Sequence, residues 1–258
     1  MNTFTIEKKI TKNYLNTIAS QLYNEFGFNP NKVKYFLLEN GDFAQINSSL
    51  EGWYKIKIGI KDFLNIEIGN VLYETRFKNM IFHEFTHAKR FLEQEELVKE
   101  IKMRGLSYAY WAHLLVEEYV AYKEANLRYK PDKQFLTATE DYTIKAIRHY
   151  GHMIKFNDTG DLERDLFISY YDLATSFIIY KFGNPDFPEC TLINKDIYNR
   201  FLNAFFGDLE KAIEEKYTDY YQYEVLGYKL MEDFRILFEE IGTKYITFEN
   251  FKRNSCIK

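Results

Sequence analysis

The chain has 258 residues, of which 46% are hydrophobic, so it can bury one large core or two modest ones and is not a disordered chain. Its 34 Lys and Arg against 38 Asp and Glu give a net charge of −4, and this balance excludes a general phosphate-binding surface, so no nucleic-acid partner is expected. Two cysteines, no signal-peptide pattern and no apolar run of membrane-spanning length predict a cytoplasmic protein without a membrane partner.

The first 60 residues predict one helix followed by strands. Apolar residues recur at helical spacing from Glu7 to Phe26, and Gly27 ends that helix. Strands are predicted over residues 32–38 and over Trp53–Ile60, where apolar residues alternate with lysines. We expect a small antiparallel sheet. If the Trp53–Ile60 strand is an exposed edge of that sheet, an extended peptide can pair with it.

The next predicted helix, Val71–Leu92, contains His83-Glu84-x-x-His87 and neither Gly nor Pro. Residues four apart lie one turn apart on the same helix face, so both imidazoles can reach one metal ion. Glu84 lies about 100° round the helix from His83, beside such a site and in the position of a base that acts on metal-activated water. The alternative interpretation is a pair of helix histidines that bind nothing.

A third ligand is expected from the following helix, which covers residues 107–128, because catalytic zinc usually takes three protein ligands. This helix contains two adjacent carboxylates, Glu117 and Glu118. Glu118 shares a face with apolar residues, whereas Glu117 shares a face with His113 and other polar residues, which predicts a solvated position. Since a buried carboxylate needs a cation or a metal, Glu118 is the predicted ligand.

These residues resemble the gluzincin group of zinc metallopeptidases, in which HExxH is followed by a glutamate on the next helix, commonly in a Glu-x-x-Ala setting. Here that setting is Glu118-Tyr-Val-Ala121. The resemblance implies that His83, His87 and Glu118 bind Zn²⁺, that Glu84 is the general base and that the substrate is a peptide or protein. Many members have Asp or Asn after the alanine, where this chain has Tyr122.

The chain after Lys130-Pro131 is predicted to be helical throughout. We therefore predict a zincin-like metallopeptidase core over residues 1–130 and a helical C-terminal subdomain over residues 131–258. A further donor that stabilises an oxyanion is expected in such an enzyme. The sequence leaves four residues open for this role: His149, Tyr119, Tyr122 and Tyr142.

The predicted fold class is α+β, with an N-terminal helix and small antiparallel sheet, a central HExxH helix and a mainly helical C-terminal half. The predicted function is zinc-dependent hydrolysis of peptide bonds, with Glu84 as general base. The alternative is a non-catalytic regulatory or protein-binding module that retains a zincin-like zinc site. Neither the oligomeric state nor the scissile bond can be predicted from the sequence.

Overall fold

The computed structural model of the protein describes residues 3–41, 44–48, 52–64, 67–130, 162–183 and 195–240. Within these ranges the chain forms seven α-helices, a three-stranded sheet and one short 3-10 turn at Lys61–Phe63. The elements are α1 Thr3–Phe26, β1 Val33–Leu38, β2 Ala44–Ser48, β3 Tyr54–Gly59, α2 Val71–Glu93, α3 Glu95–Arg104, α4 Tyr108–Arg128, α5 Leu162–Gly183, α6 Lys195–Glu214 and α7 Tyr220–Glu240. The predicted order of helix, small sheet, HExxH helix and helical C-terminal half is confirmed.

The chain divides into two compact units. The first contains Met1–Glu96 and Val120–Phe135, and the second contains Leu97–Tyr119 and Leu136–Lys258. The first unit therefore holds α1, the sheet, α2 and the last part of α4, and the second holds most of α3, the first part of α4 and helices α5 to α7. The predicted domain boundary after residue 130 stays a prediction, because residues 131–161 lie outside the described ranges.

The sheet is mixed, with the strand order β1-β3-β2. The expected antiparallel pairing holds for β2 with β3, but β1 and β3 are parallel. Strand β3, which covers most of the Trp53–Ile60 stretch, is consequently the central strand, and the hypothesis that this stretch is an exposed edge is wrong. Strand β2 lies on the far side of β3 and does not pair with β1.

The inner face of β3 joins the sheet to the end of α2. Ile56 and Ile58 are fully buried, and Tyr54 is 2% exposed. The Tyr54 hydroxyl donates a hydrogen bond of 3.1 Å to the main-chain oxygen of Phe91, in the last turn of α2. Because a buried main-chain oxygen and a buried phenol satisfy each other here, the central strand and this helix are held in one register.

An aromatic cluster packs α1 and the sheet against the middle of α2. Phe85, two residues after His83, is completely buried. Its ring centroid lies between 5.5 and 5.9 Å from those of four other aromatic residues, namely Tyr23, Phe26, Phe28 and Tyr35. Tilted and edge-on rings at these distances pack favourably. The cluster therefore fixes the rotation of α2 and so the face on which the histidines lie.

The second unit has an aromatic core of its own, centred on Phe234 of α7. Five ring centroids lie within 6.5 Å of that of Phe234, namely those of Trp111, Tyr170, Phe177, Phe201 and Phe205. Helices α7 and α4 also approach closely at Gly227, where an added Cβ would stand 2.4 Å from the main-chain oxygen of Tyr108. None of the described helices has an apolar stretch suited to crossing a lipid bilayer.

Asp233 is a buried carboxyl group beside this aromatic core. Its side chain is 8% exposed, and its Oδ2 atom has no hydrogen-bond partner. Burial, and then the charges of Asp208 and Glu232, raise its pKa to about 7, although Lys229 opposes the shift. The folded protein therefore holds the proton of Asp233 at pH values where the unfolded chain has released it.

We predict that Asp233 makes the protein less stable as the pH rises from about 4 to about 7. A carboxyl group with a raised pKa in the folded state stabilises the fold fully below its unfolded pKa, and this contribution is lost as the pH rises from the unfolded pKa to the folded pKa. Asp233→Asn cannot ionise, so its stability relative to the parent should rise by roughly 1–3 kcal/mol between about pH 4 and about pH 8. Thermal or urea unfolding across this pH range measures the difference. The exposed Glu215→Gln should follow the parent at every pH, and an Asp233→Asn curve parallel to the parent's would contradict the assignment.

Candidate metal centre

Helix α2 presents its two histidines on a buried face. His83 and His87 are 8% and 4% exposed. Because they are four residues apart, their rings lie one turn apart on one side of the helix. The two Nε2 atoms are 3.0 Å from each other. Two ring nitrogens directed at the same point can share a hydrogen bond or can bind the same cation.

A second row of residues, on α4, faces the histidine row on α2. One turn before His83, the Asn79 side-chain amide donates hydrogen bonds of 2.7 Å to the Asn126 side chain and to the main-chain oxygen of Tyr129. One turn further along α2, the His83 ring lies 4.2 Å from the ring of Tyr122. From Asn79 to His83 the position on α2 rises by four residues, while the contacting position on α4 falls by four, from Asn126 to Tyr122. This is the pattern of two antiparallel helices packed along their four-residue rows.

The next step of this pattern brings Glu118 to the histidine pair. His83, His87 and Glu118 each offer one ligand atom, and these atoms all lie within 4.8 Å of one another. Glu118 is half-buried, and its Oε1 atom accepts a hydrogen bond of 2.6 Å from the hydroxyl of Tyr171 on α5. The sequence-based prediction that these three residues come together as a possible metal site is confirmed.

The spacing and the donor types fit a small divalent cation. Zinc binds imidazole nitrogen and carboxylate oxygen at about 2.0–2.2 Å, so neighbouring ligand atoms of a tetrahedral site are roughly 3.3–3.6 Å apart. The Nε2 atoms of His83 and His87 are 3.0 Å apart, which is close to this separation. All three ligand atoms lie within 4.8 Å of one another, so a small rotation of the Glu118 side chain brings its carboxylate to a similar distance. Three protein ligands of this kind leave a position for water or substrate.

The solvated position predicted for Glu117 is wrong. Glu117 is 1% exposed and His113 is 3% exposed, so this part of the polar face of α4 is buried as well. His113 lies against Tyr223 of α7, with ring centroids 5.1 Å apart, and its Nε2 atom is 4.0 Å from Glu117 Oε1. At His113 the polar face of α4 is therefore covered by another helix of the second unit. Burial alone would therefore have favoured Glu117 over Glu118 as the ligand, although only Glu118 joins the histidines.

Two of the four residues considered for the oxyanion, Tyr119 and Tyr122, lie within the described part of the chain, and of these two Tyr122 contacts a histidine of the site. Tyr119 lies in a different environment, since its hydroxyl donates to Glu210, and Lys181 bonds the same carboxylate at 2.6 Å. Burial and the Glu210 carboxylate raise the pKa of Tyr119, so this phenol stays protonated. His149 and Tyr142 lie outside the described residues.

Glu84, the predicted base, is 8% exposed and lies on α2 directly after His83. It is not one of the three residues that can hold the ion, in agreement with its place round the helix. Two residues around the site were missed by the sequence-based reasoning. They are Tyr171, which bonds Glu118, and Asn79, which bonds Asn126, and nothing local in the sequence indicates either partner.

Comparisons of the chain with models of protein families, with curated proteins and with solved structures found no match.

We predict that Tyr171→Phe weakens metal binding about tenfold, because partners that orient a metal ligand typically contribute 10- to 100-fold to affinity. The substitution removes only the hydroxyl that bonds Glu118, so the helix should stay folded. Competition with a chromophoric zinc chelator measures the dissociation constant. Tyr73→Phe, at an exposed position of α2, is the matched control and should leave the affinity unchanged. Equal affinities of Tyr171→Phe and the parent would show that this hydrogen bond does not position a ligand.

Proposed function

We propose that the protein is a zinc-dependent hydrolase of peptide bonds. The observation that carries the proposal is the convergence of His83, His87 and Glu118 within 4.8 Å, with Glu84 next to the first of them on α2. Two imidazoles and one carboxylate form a donor set that suits catalytic zinc. The preference for a peptide substrate follows from the resemblance of these residues to the gluzincin metallopeptidases.

In this proposal His83, His87 and Glu118 hold the ion. When bound, zinc acts as a Lewis acid that polarises a carbonyl group and lowers the pKa of a bound water towards 7. Glu84 accepts the proton of the attacking water and passes it to the nitrogen of the leaving amine. The burial of Glu84 and of both histidines limits competing water in the site.

Residues around the ligands hold them in place. Tyr171 directs one carboxylate oxygen of Glu118, and Tyr122 packs on the ring of His83. The hydrogen bonds of Asn79 to α4 keep the two helices in register. Tyr122 stands where many gluzincins have Asp or Asn, so packing replaces a charged hydrogen bond as the support of this histidine. We propose Tyr122 as the donor to the oxyanion, because its ring lies 4.2 Å from that of His83.

The alternative function is a non-catalytic regulatory or protein-binding module that retains the zinc site. The feature that argues against it is Glu84. A carboxylate beside three ligands serves a reaction at the fourth position, whereas a structural zinc site is usually closed by four protein ligands. The two functions differ in one measurable respect, since a binding module keeps its metal and its partner without turning over a substrate.

We predict that Glu84→Gln retains the metal and loses turnover by roughly 100-fold or more, because it removes the base and leaves all ligands in place. His87→Ala should lose metal and turnover together. Metal content is measured by mass spectrometry of protein purified without added zinc, and turnover with a library of internally quenched peptides. Glu124→Gln, at an exposed position of α4, is the control and should resemble the parent.

Each alternative predicts a different result in this experiment. A parent protein that binds zinc but cleaves no peptide would favour the binding module. Iron instead of zinc in the parent would overturn the assignment of the metal. Cleavage by Glu84→Gln at the parent's rate would overturn the role of the base.

A further inference from the structure

The outward face of the sheet is basic. In the parallel pair, Lys34 of β1 lies opposite Lys55 of β3, and Phe36 lies opposite Lys57. In the antiparallel pair, Asn47 of β2 lies opposite Lys55, and Gln45 lies opposite Lys57. We call these six side chains the basic face: Lys34, Phe36, Gln45, Asn47, Lys55 and Lys57. None of the residues in β1, β2 and β3 is acidic. A chain with a net charge of −4 thus concentrates positive charge on this sheet.

The lysines of the basic face lack carboxylate partners within the described parts of the chain. Lys34 is exposed, and the Lys55 ammonium lies 4.8 Å from the centre of the Phe36 ring. Like charges directly opposite each other in a sheet are destabilising. Lysines on an edge strand can be explained by protection against strand pairing between molecules. That explanation does not apply to Lys55 and Lys57, because β3 is the central strand.

A groove of about 360 Å³ runs beside this face and is lined by lysines and aromatic side chains. Lys32, Lys34 and Lys55 contribute the charges, and Phe36 and Trp53, which are 41% and 43% exposed, contribute apolar surface. Lys32 is already paired with Glu95, at 3.4 Å. This volume lies within the range of sites that hold small ligands or single side chains with their main chain.

We propose that the groove and the basic face bind an acidic, extended polypeptide segment that places an apolar side chain between Phe36 and Trp53. Carboxylates of the segment pair with Lys34, Lys55 and Lys57. Strand β1 forms one edge of the described sheet, so the same segment can pair with it through main-chain hydrogen bonds. This is a binding site apart from the histidine centre, and it does not depend on the proposed hydrolytic activity.

The composition of the face favours a polypeptide over a nucleic acid. Arginine, the residue best suited to bidentate phosphate contacts, is absent from the three strands. The overall negative charge also opposes a ligand that carries one charge per nucleotide, whereas a few carboxylates match the lysines available.

The test is a binding titration that needs no turnover. The probe is a fluorescein-labelled peptide of roughly twelve residues, which spans about 40 Å when extended, rich in glutamate and with a central leucine. Fluorescence anisotropy is followed for the full chain, for Lys34→Gln/Lys55→Gln and for the control Lys9→Gln/Lys123→Gln, whose lysines are exposed on α1 and α4. Both variants change the net charge equally. Mass spectrometry after the titration confirms that the peptide is intact.

We expect the parent and the control to bind alike and Lys34→Gln/Lys55→Gln to bind about tenfold more weakly. Raising NaCl from about 0.05 M to about 0.5 M should weaken the parent's binding, because exposed charges are screened. A peptide with lysine in place of glutamate should not bind. Circular dichroism and melting curves confirm that both variants are folded.

Three results would overturn the proposal. The first is that the parent fails to bind the acidic peptide, and the second is that both double variants bind it equally. A single-stranded oligodeoxythymidylate of similar length that binds more tightly than the peptide, through the same lysines, would assign the face to nucleic acid. Removal of the metal should leave peptide binding intact, so a failure of this proposal is distinguishable from a failure of the proposed hydrolase.

Discussion

The alignment of two helices is the constraint on which the candidate centre depends. Asn79, His83 and His87 follow one another at four-residue intervals on α2, and Asn126, Tyr122 and Glu118 do so in the opposite direction on α4. Asn79 and Asn126 are joined by a hydrogen bond, and the rings of His83 and Tyr122 are in contact. His87 and Glu118 are both members of the group whose ligand atoms lie within 4.8 Å of one another. A shift of either helix by one residue would turn the partners away from each other.

This alignment also explains how a site of three ionisable side chains can exist in a protein whose cores are packed with aromatic rings. Phe85 fixes the rotation of α2 from the side of the sheet, and Tyr54 fixes the position of its last turn. Phe234 and its neighbours form the core of the second unit, in which Tyr171 reaches Glu118. The polar groups of the site are thus supported by apolar packing and by a few neutral hydrogen bonds, which cost less to bury than additional charges.

Helical periodicity predicted both helices of the site, and it placed His83, His87 and Glu118 on faces from which they can meet. The four-residue spacing of His83 and His87 is a property of any helix, and so is the separation of Glu117 from Glu118. The reasoning about burial was less successful, because a polar face such as that of His113 can be covered by helices distant in sequence. Strand order was missed as well, because alternation predicts a strand over Trp53–Ile60 but carries no information on whether that strand pairs on one side or on both.

The order of the strands has a consequence for how the chain folds. Neighbouring β1 and β2 do not form a hairpin, and each of them pairs only with β3 among the described strands, although β3 comes last in the sequence. During synthesis, neither strand can find its partner before residue 54 has emerged. The sheet then closes from its centre outwards, just as the chain enters α2. Loop closure over non-local pairs is slow compared with helix formation, so α2 can form, and place His83 and His87 one turn apart, before the sheet that supports its apolar face has closed.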